Sequence, residues 1–304
     1  MPAYNEAENI PDLVAEFQSL FARHKLSGVI VIVDDGSSDG TAEVARQSAQ
    51  DWPHLKTVSH RRNFGKTEAI LTGAEETDAG YLIIFDADLQ HSVEEVPRYL
   101  AKLQDGFEIV TGRKIGKYPK FGVSLLYNWL SRRLFEVPAT DLNSMKGFRR
   151  EVLDEVRLRH DWHRFFVVLA YAQGFTVTEI DIKLFPRRHG ISKYSGRSRI
   201  LIGLLDLISV SFFLFFSKKP MVLFGMTGLA TAVLGFIVGL VTIVLRIFNW
   251  DPPFGLRPLL YLVILLETLG FLLFGFGFLA EQVAQQQADL DHIQRRIKRP
   301  RKTK

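Results

Sequence analysis

Residues Gly28–Thr41 read GVIVIVDDGSSDGT, a run of β-branched and apolar residues that ends in two carboxylates and a turn. Consecutive Val and Ile fit a short strand buried on both faces, and the acidic, Gly-containing stretch closes it. The same grammar recurs at Tyr81–Asp88, YLIIFDAD. Between the two, TAEVARQSA and KTEAILTGAEE carry helical spacing, and Asp39 or Thr41 stands at the N-cap of the first. GFEIVTGRK suggests another strand, and TVTEIDIKL alternates like a half-exposed one. This alternation predicts an α/β domain built from βαβ-type structure. In open α/β sheets, ligands bind beyond the carboxyl ends of the strands. Two acidic clusters, each just after an apolar strand, therefore point at one cleft.

The chain has 304 residues, a formal charge of +5 and no cysteine. The missing cysteines exclude disulfides, thiolate metal sites and cysteine nucleophiles. Met1-Pro2-Ala3-Tyr4-Asn5-Glu6 has neither the basic start nor the apolar core of a signal peptide. The last third differs from the rest. Leu223–Leu245 and Leu259–Leu279 are apolar runs of about 23 and about 21 residues, long enough to span a bilayer. Only Glu267 interrupts the second, and NWDPPFGLRP joins them. Lys218 and Lys219 precede the first run, and the tail RRIKRPRKTK follows the second. By the positive-inside rule both flanks face the cytosol, which requires an even number of spans. Ile200–Phe216, interrupted by Asp206, is shorter and is expected to lie in the interface, with a third span as the alternative, and the amphipathic Ser124–Phe135 with Trp129 and Leu130 is expected there too. The basic excess suits anionic headgroups or phosphates, with a solvated tail as the alternative, and no nucleic-acid partner is expected. The expected layout is a catalytic domain over 1–199, an interfacial helix over 200–220, two transmembrane helices within 221–282, and a basic cytosolic tail over 283–304.

Asp86-Ala87-Asp88 is the strongest local chemical signal. Alternate residues leaving a strand aim two carboxylates at one point, and hard oxygen ligands suit Mg2+ or Mn2+. A capped turn is the alternative reading for this cluster. In Asp34-Asp35-Gly36-Ser37-Ser38-Asp39, carboxylates at a strand end can accept hydrogen bonds from a base or a ribose, or can simply cap a strand-to-helix turn.

Four motifs occur in order: P-A-Y-N-E at residues 2–6, D-D-G-S-S-D-G-T at 34–41, R-N-F-G-K at 62–66 and D-A-D-L-Q-H at 86–91. Their spacing resembles family 2 glycosyltransferases of GT-A fold, which implies a Rossmann-like mixed sheet. D-L-N-S at 141–144, H-R-F at 163–165 and P-R-R-H-G-I-S-K-Y at 186–194, followed by paired spans, resemble the polyprenyl-phosphate branch. That branch includes dolichol-phosphate mannosyltransferases and undecaprenyl-phosphate glycosyltransferases. The resemblance implies a nucleotide-sugar pocket lined by Pro2, Ala3, Tyr4, Glu6, Asp35, Lys66, Asp86 and Lys193. It implies a divalent metal held by Asp88 and Gln90, and acceptor-phosphate contacts from Arg113, Arg132, Arg133 and Ser144. Asp86, Asp88, Arg113 and Arg187 would carry catalysis, with Arg187 closing over the donor diphosphate. In such proteins a β-strand precedes P-A-Y-N-E, whereas Met1 stands directly before Pro2 here, so the first strand is expected to be missing. N-S-M-K-G-F-R also departs from the branch, which usually shows Gly just after the Ser.

A lipid phosphate is already anionic near neutral pH and attacks an anomeric carbon without a strong base. Positioning and charge stabilisation then suffice, and in-line displacement inverts the centre. Asp161 and His163 would serve as a base only for a hydroxyl acceptor. The expected function is inverting transfer of a hexose-type sugar from a nucleotide-diphosphate sugar to a polyprenyl phosphate, dependent on Mg2+ or Mn2+. The alternatives are another lipid or glycan hydroxyl as acceptor, or a catalytically silent membrane scaffold. Neither sugar nor base is readable from motifs.

Overall fold

The structure, a computed structural model, describes residues 1–50, 52–116, 137–142, 144–156, 158, 162–189, 209–212, 219–248, 250 and 255–298. The chain forms two compact units, Met1–Leu207 and Ile208–Lys304.

The first unit alternates strands and helices: β1 (Pro2–Ala3), α1 (Ile10–His24), β2 (Ile30–Asp34), α2 (Thr41–Gln50), β3 (Leu55–Ser59), α3 (Lys66–Glu75), β4 (Tyr81–Ile84), α4 (Glu95–Gln104) and β5 (Ile109–Ile115). An antiparallel β6 (Lys146–Arg149), α5 (Arg150–Glu155), a 3-10 turn (Trp162–Phe165), α6 (Phe166–Tyr171) and β7 (Val177–Lys183) follow. All five residues of β2 are buried, as its unbroken Val/Ile run predicts. In α1 the buried residues Ile10, Leu13, Val14, Phe17 and Leu20 recur at helical spacing, Pro11 opens the first turn, and Lys25 in the left-handed region ends it. Leu26 N–H then donates to Phe21 O at 3.1 Å. Phe85, Val96, Tyr99 and Leu103 join the α1 residues in one core, where each large apolar side chain contributes about 1.5–3 kcal/mol on burial.

The strands form two sheets, β1-β2-β3, all parallel, and β4-β6-β5-β7, mixed. A two-residue β1 stands beside β2, with Pro2 opposite Val33, and Asp35 N–H donates to Ala3 O at 2.8 Å. Beyond this stub the sheets part around a cavity of about 420 Å³. Val29–Val31 line it from the β2 side and Gly80–Phe85 from the β4 side, with Phe17, Ile70 and Leu100 among its walls.

In the second unit, α7 (Pro220–Ile247) and α8 (Arg257–Lys298) form an antiparallel hairpin. Both are long and apolar enough to cross a membrane. They leave Met226, Phe236, Tyr261 and Phe271 about two-thirds exposed, an apolar surface that water does not favour. Glycine lets the two backbones touch. A Cβ on Gly228 would meet Phe274 N at 2.6 Å, and one on Gly270 would meet Ala232 N at 2.7 Å. The α8 helix continues to Lys298, so helical backbone runs on where the sequence was divided into span and tail. Of the expected interfacial helix Ile200–Phe216 only residues 209–212 are described, and they are helical; Ser124–Phe135 lies outside the described residues.

Candidate active site

Three loops at the carboxyl ends of β1, β2 and β4 converge. Beyond β1, Asn5 N–H donates to Ser37 Oγ and Glu6 N–H to Thr41 Oγ1, both at 2.8 Å, and Ser38 N–H donates to Asn5 Oδ1 at 2.8 Å. These bonds lace Pro2–Glu6, which includes Tyr4, to the 34–41 turn. Asp39 Oδ1 accepts Thr41 N–H at 3.0 Å from one residue ahead of Gly40, whose carbonyl accepts Val44 N–H at 3.1 Å; the N-cap is therefore Gly40 rather than Asp39 or Thr41, with Asp39 supporting the first turn. Gly36 sits at φ +70°, and a Cβ there would lie 2.4 Å from Arg62 C, so the 60–65 loop rests directly on glycine backbone.

Asp35 is buried, and its carboxylate organises that loop. Oδ1 accepts Phe64 N–H and pairs with His60 Nδ1, and Oδ2 accepts Gly65 N–H, each at 2.8 Å. Gly65 is the N-cap of α3, so Asp35 sets the start of the helix that carries Lys66.

Lys66 Nζ lies 2.5 Å from Asp86 Oδ1. Burial alone would raise the Asp86 carboxyl, but the Lys66 ammonium and its hydrogen bond, with help from His91 and Lys146, hold it well below the usual carboxylate range. Asp88 moves the other way. Burial raises it and the Asp86 charge adds to the rise, while Arg187 and the Gln90 backbone N–H oppose. Arg187 Nη2 is 2.8 Å from Asp88 Oδ2, and Nη1 is 3.5 Å from Glu6 Oε1. Gln90 spends its side-chain nitrogen on Phe185 O at 3.4 Å, which leaves Oε1 as the atom to ligate. Among the described residues no three acidic, histidine or cysteine side chains form a closed metal cage. Asp88 and Gln90, two residues apart, carry hard oxygens of the kind that suits Mg2+ or Mn2+, and a diphosphate and water would have to complete any shell they began.

Below the carboxylates, Lys66, Asp86, Ser144, Lys146 and His163 line one small cavity. Ser144 Oγ is buried there without a hydrogen-bond partner among the described residues. Lys146 Nζ donates to Ser144 O at 2.9 Å, and burial, reinforced by Lys66, pushes its pKa down to about 7. His163 Nδ1 lies 3.0 Å from Thr67 Oγ1, and burial with the nearby cations keeps its ring neutral, well below the ordinary histidine range. Burial also pushes His91 down to about 4.

The structure thus brings Glu6, Lys66, Asp86, Asp88, Gln90 and Arg187 together, with Ser144 beneath. Arg113 is exposed on β5 and paired through both guanidinium arms with Asp181 on β7, at 2.5 and 3.0 Å. Arg132, Arg133 and Lys193 lie outside the described residues, as does Asp161. Lys146 drew no sequence-based expectation. Its only signal is a lysine opening a short apolar stretch.

The sequence profile described as Glycosyl transferase family 2 matches residues 1–157. An undecaprenyl-phosphate 4-deoxy-4-formamido-L-arabinose transferase from Salmonella choleraesuis is 29% identical over 297 residues, covering 95% of this chain and 88% of that protein. Among solved structures, mannosyl-3-phosphoglycerate synthase from Rubrobacter xylanophilus matches with TM-score 0.55 and 16% identity, over 69% of this chain and 72% of that one. Glucosyl-3-phosphoglycerate synthase from Mycobacterium tuberculosis, solved with Mn2+, UDP and glucosyl-3-phosphoglycerate, matches with TM-score 0.52 and 18% identity, over 68% and 78%. At these identities the structural likeness speaks to the fold alone, which is the GT-A arrangement. The family profile runs from the β1 stub through α5, the stretch that carries Glu6, Asp35, Asp86 and Asp88. The chain therefore belongs to glycosyl transferase family 2 and is a glycosyltransferase.

Proposed function

We propose that the protein moves a hexose-type sugar from a nucleotide-diphosphate sugar to a polyprenyl phosphate at a membrane surface, with inversion and with a divalent cation at Asp88 and Gln90. The observation that carries this reading is the pair of carboxylates at the end of β4, each met by its own cation: Asp86 by Lys66 and Asp88 by Arg187. The Salmonella relative, an undecaprenyl-phosphate sugar transferase, supports the acceptor class.

Lys66 keeps Asp86 ionised and fixed, so it can receive a sugar or ribose hydroxyl without reorganising. Asp35 fixes the 60–65 loop against the 34–41 turn, which is itself laced to Pro2–Glu6, and a nucleoside would bind along these turns. When bound, the cation would neutralise charge on the departing diphosphate. Arg187 carries a planar guanidinium suited to the same oxygens. Ser144 Oγ, lacking a partner among the described residues, would donate to the acceptor phosphate. His163 is held neutral and bonded to Thr67, so it orders the floor of the site; a phosphate acceptor has no proton for it to remove. Arg132, Arg133 and Arg113 would gather the lipid phosphate from the interface side, with Lys193 on the donor. Helices α7 and α8 would anchor the chain, both flanks facing the cytosol by their basic residues.

The test offers a panel of labelled nucleotide-sugars to membranes with and without EDTA, and follows sugar into an organic-extractable, mild-acid-labile lipid. Asp88→Ala is expected to abolish transfer while the protein still inserts. Full transfer by that variant would end the metal assignment, and a water-soluble or alkali-labile product would replace the phosphate acceptor with a hydroxyl one.

A further inference from the structure

We propose that Arg187 and the divalent cation compete for the Asp88 carboxylate, so that metal and donor bind with positive coupling because the diphosphate draws Arg187 away. This rests on the metal-dependent reading above.

The segment around Arg187 is strapped across the site at several points. Phe185 N–H donates to Gln90 O at 2.8 Å, and Gln90 Nε2 returns a bond to Phe185 O. Arg188, the next residue, reaches α1, where it pairs with Glu16 and lies 3.6 Å from Asp12. Between these anchors Arg187 spans Asp88 and Glu6, and all three side chains are largely buried, with 18%, 10% and 11% exposure. The strap therefore grips both proposed metal ligands: Asp88 through its Oδ2, and Gln90 through its backbone and side-chain amides.

Asp88 Oδ2 cannot serve a guanidinium at 2.8 Å and a divalent ion at metal-ligand distance without placing two cations side by side in a poorly hydrated pocket. One must yield. A metal ion alone has to expel Arg187 and leave it, among the described residues, with Glu6 at 3.5 Å as its remaining ion-pair partner. A nucleoside diphosphate changes that balance, because its oxygens offer the guanidinium a two-pronged partner as good as the carboxylate it gives up. The coupling is reciprocal: whatever factor the diphosphate adds to metal affinity, the metal adds to diphosphate affinity. The arginine that opposes the metal alone thus favours the pair, which keeps Asp88 closed until donor arrives.

The experiment measures Mn2+ binding directly, by calorimetry and by the EPR signal of free Mn2+, on the full chain in detergent. Wild type, Arg187→Gln, Arg188→Ala and Asp88→Asn are titrated with Mn2+ alone and with Mn2+ plus UDP or GDP. Arg187→Gln is expected to bind Mn2+ alone about tenfold more tightly than wild type and to gain less from the nucleotide. Arg188→Ala, which leaves Arg187 and both metal ligands in place but frees the strap from α1, should move Mn2+ affinity the same way by about threefold. Asp88→Asn should lose Mn2+ binding in every condition. Loss in Asp88→Asn with unchanged or weaker Mn2+ binding in a folded Arg187→Gln and in Arg188→Ala would overturn the competition and leave the metal site standing. Equal Mn2+ binding by wild type and Asp88→Asn would overturn both.

Discussion

The Lys146 ammonium donates to Ser144 O and forms no ion pair among the described residues, in a part of the site already carrying Lys66. Its surroundings therefore oppose its charge, and the sign of the consequence follows. An unfolded chain holds the proton up to pH 10.5, whereas the folded one releases it near 7. Between those values the unfolded state binds more protons, so stability rises with pH across that window, and the full penalty persists below pH 7. Lys146→Met should accordingly raise the thermal midpoint most at pH 6.5, by a gain on the order of a few kcal/mol, and the advantage should shrink toward pH 9.5. Thermal melts of both proteins at the two pH values check this, and an advantage independent of pH would contradict it. A residue that costs stability beside Asp86, the carboxylate proposed for catalysis, is expected where activity needs the charge. Such costs are invisible in sequence, because a lysine in K-G-F-R looks like any half-exposed strand residue. The D-A-D alone reads as readily as a capped turn, but Asp86 and Asp88 were legible as candidates because an apolar strand precedes them and Gln90 and His91 follow. That one would be held far below and the other above its ordinary pKa was not, because Lys66 and Arg187 arrive from 20 and 99 positions away.

At the scale of elements, glycine decides whether α7 and α8 can pack. A Cβ at Gly228 would strike Phe274 N at 2.6 Å and Gly270 O at 2.7 Å, both backbone atoms that cannot rotate aside. At Gly239 it would meet only the Val263 methyls, the nearest at 3.6 Å, an ordinary contact. Gly228→Ala should therefore part the helices and lower the midpoint of the hairpin's unfolding in detergent, by about 1–3 kcal/mol. Gly239→Ala should be neutral or slightly stabilising, because alanine favours helix by about 1 kcal/mol over glycine. Equal behaviour of the two variants would refute the close packing. The same elements show which parts of the fold sequence could supply. β2 and β4 were readable because an unbroken Val/Ile run ending in acid has one ready interpretation, and the two long apolar helices because their length and composition stand out. Strand β6 was not. Its four residues have no period of their own, and pairing with β4 and β5 on either side makes it a strand. Asp35 was readable as a strand-end carboxylate, yet its bonds to Phe64 and Gly65 depend on a loop whose path only the folded chain defines.

At the scale of the whole molecule, the α/β unit is one layered fold whose sheet is interrupted. β1 runs parallel to β2 with Pro2 opposite Val33, so continuing backward from Met1 along β2 passes Val31, Ile30 and Val29. Those residues line the cavity of about 420 Å³, and the edge of β4 not paired with β6 faces them from its far side. Two strand edges and apolar side chains from α1, α3 and α4 thus surround a slot of strand width. The Met1 ammonium lies at its end, donating to Val31 O at 2.7 Å, and burial pushes its pKa down to about 5. A five-residue peptide of alternating Val and Ile, carrying a charged tag for solubility, should thread between β2 and β4 as a strand and join the two sheets. It would satisfy both backbone edges and bury apolar area worth about 25 cal/mol per Å2. At saturation, a gain of about 3 kcal/mol would raise the midpoint of this unit by roughly 6–12 °C. A Gly/Ser peptide of equal length brings no apolar side chains and should leave the midpoint unchanged. Equal midpoints with the two peptides would show that the slot is not a strand site. Because β1 and β4 lead directly to Glu6 and to Asp86 and Asp88, closing the slot should also steady the carboxylates, and donor affinity should rise along with the melting midpoint.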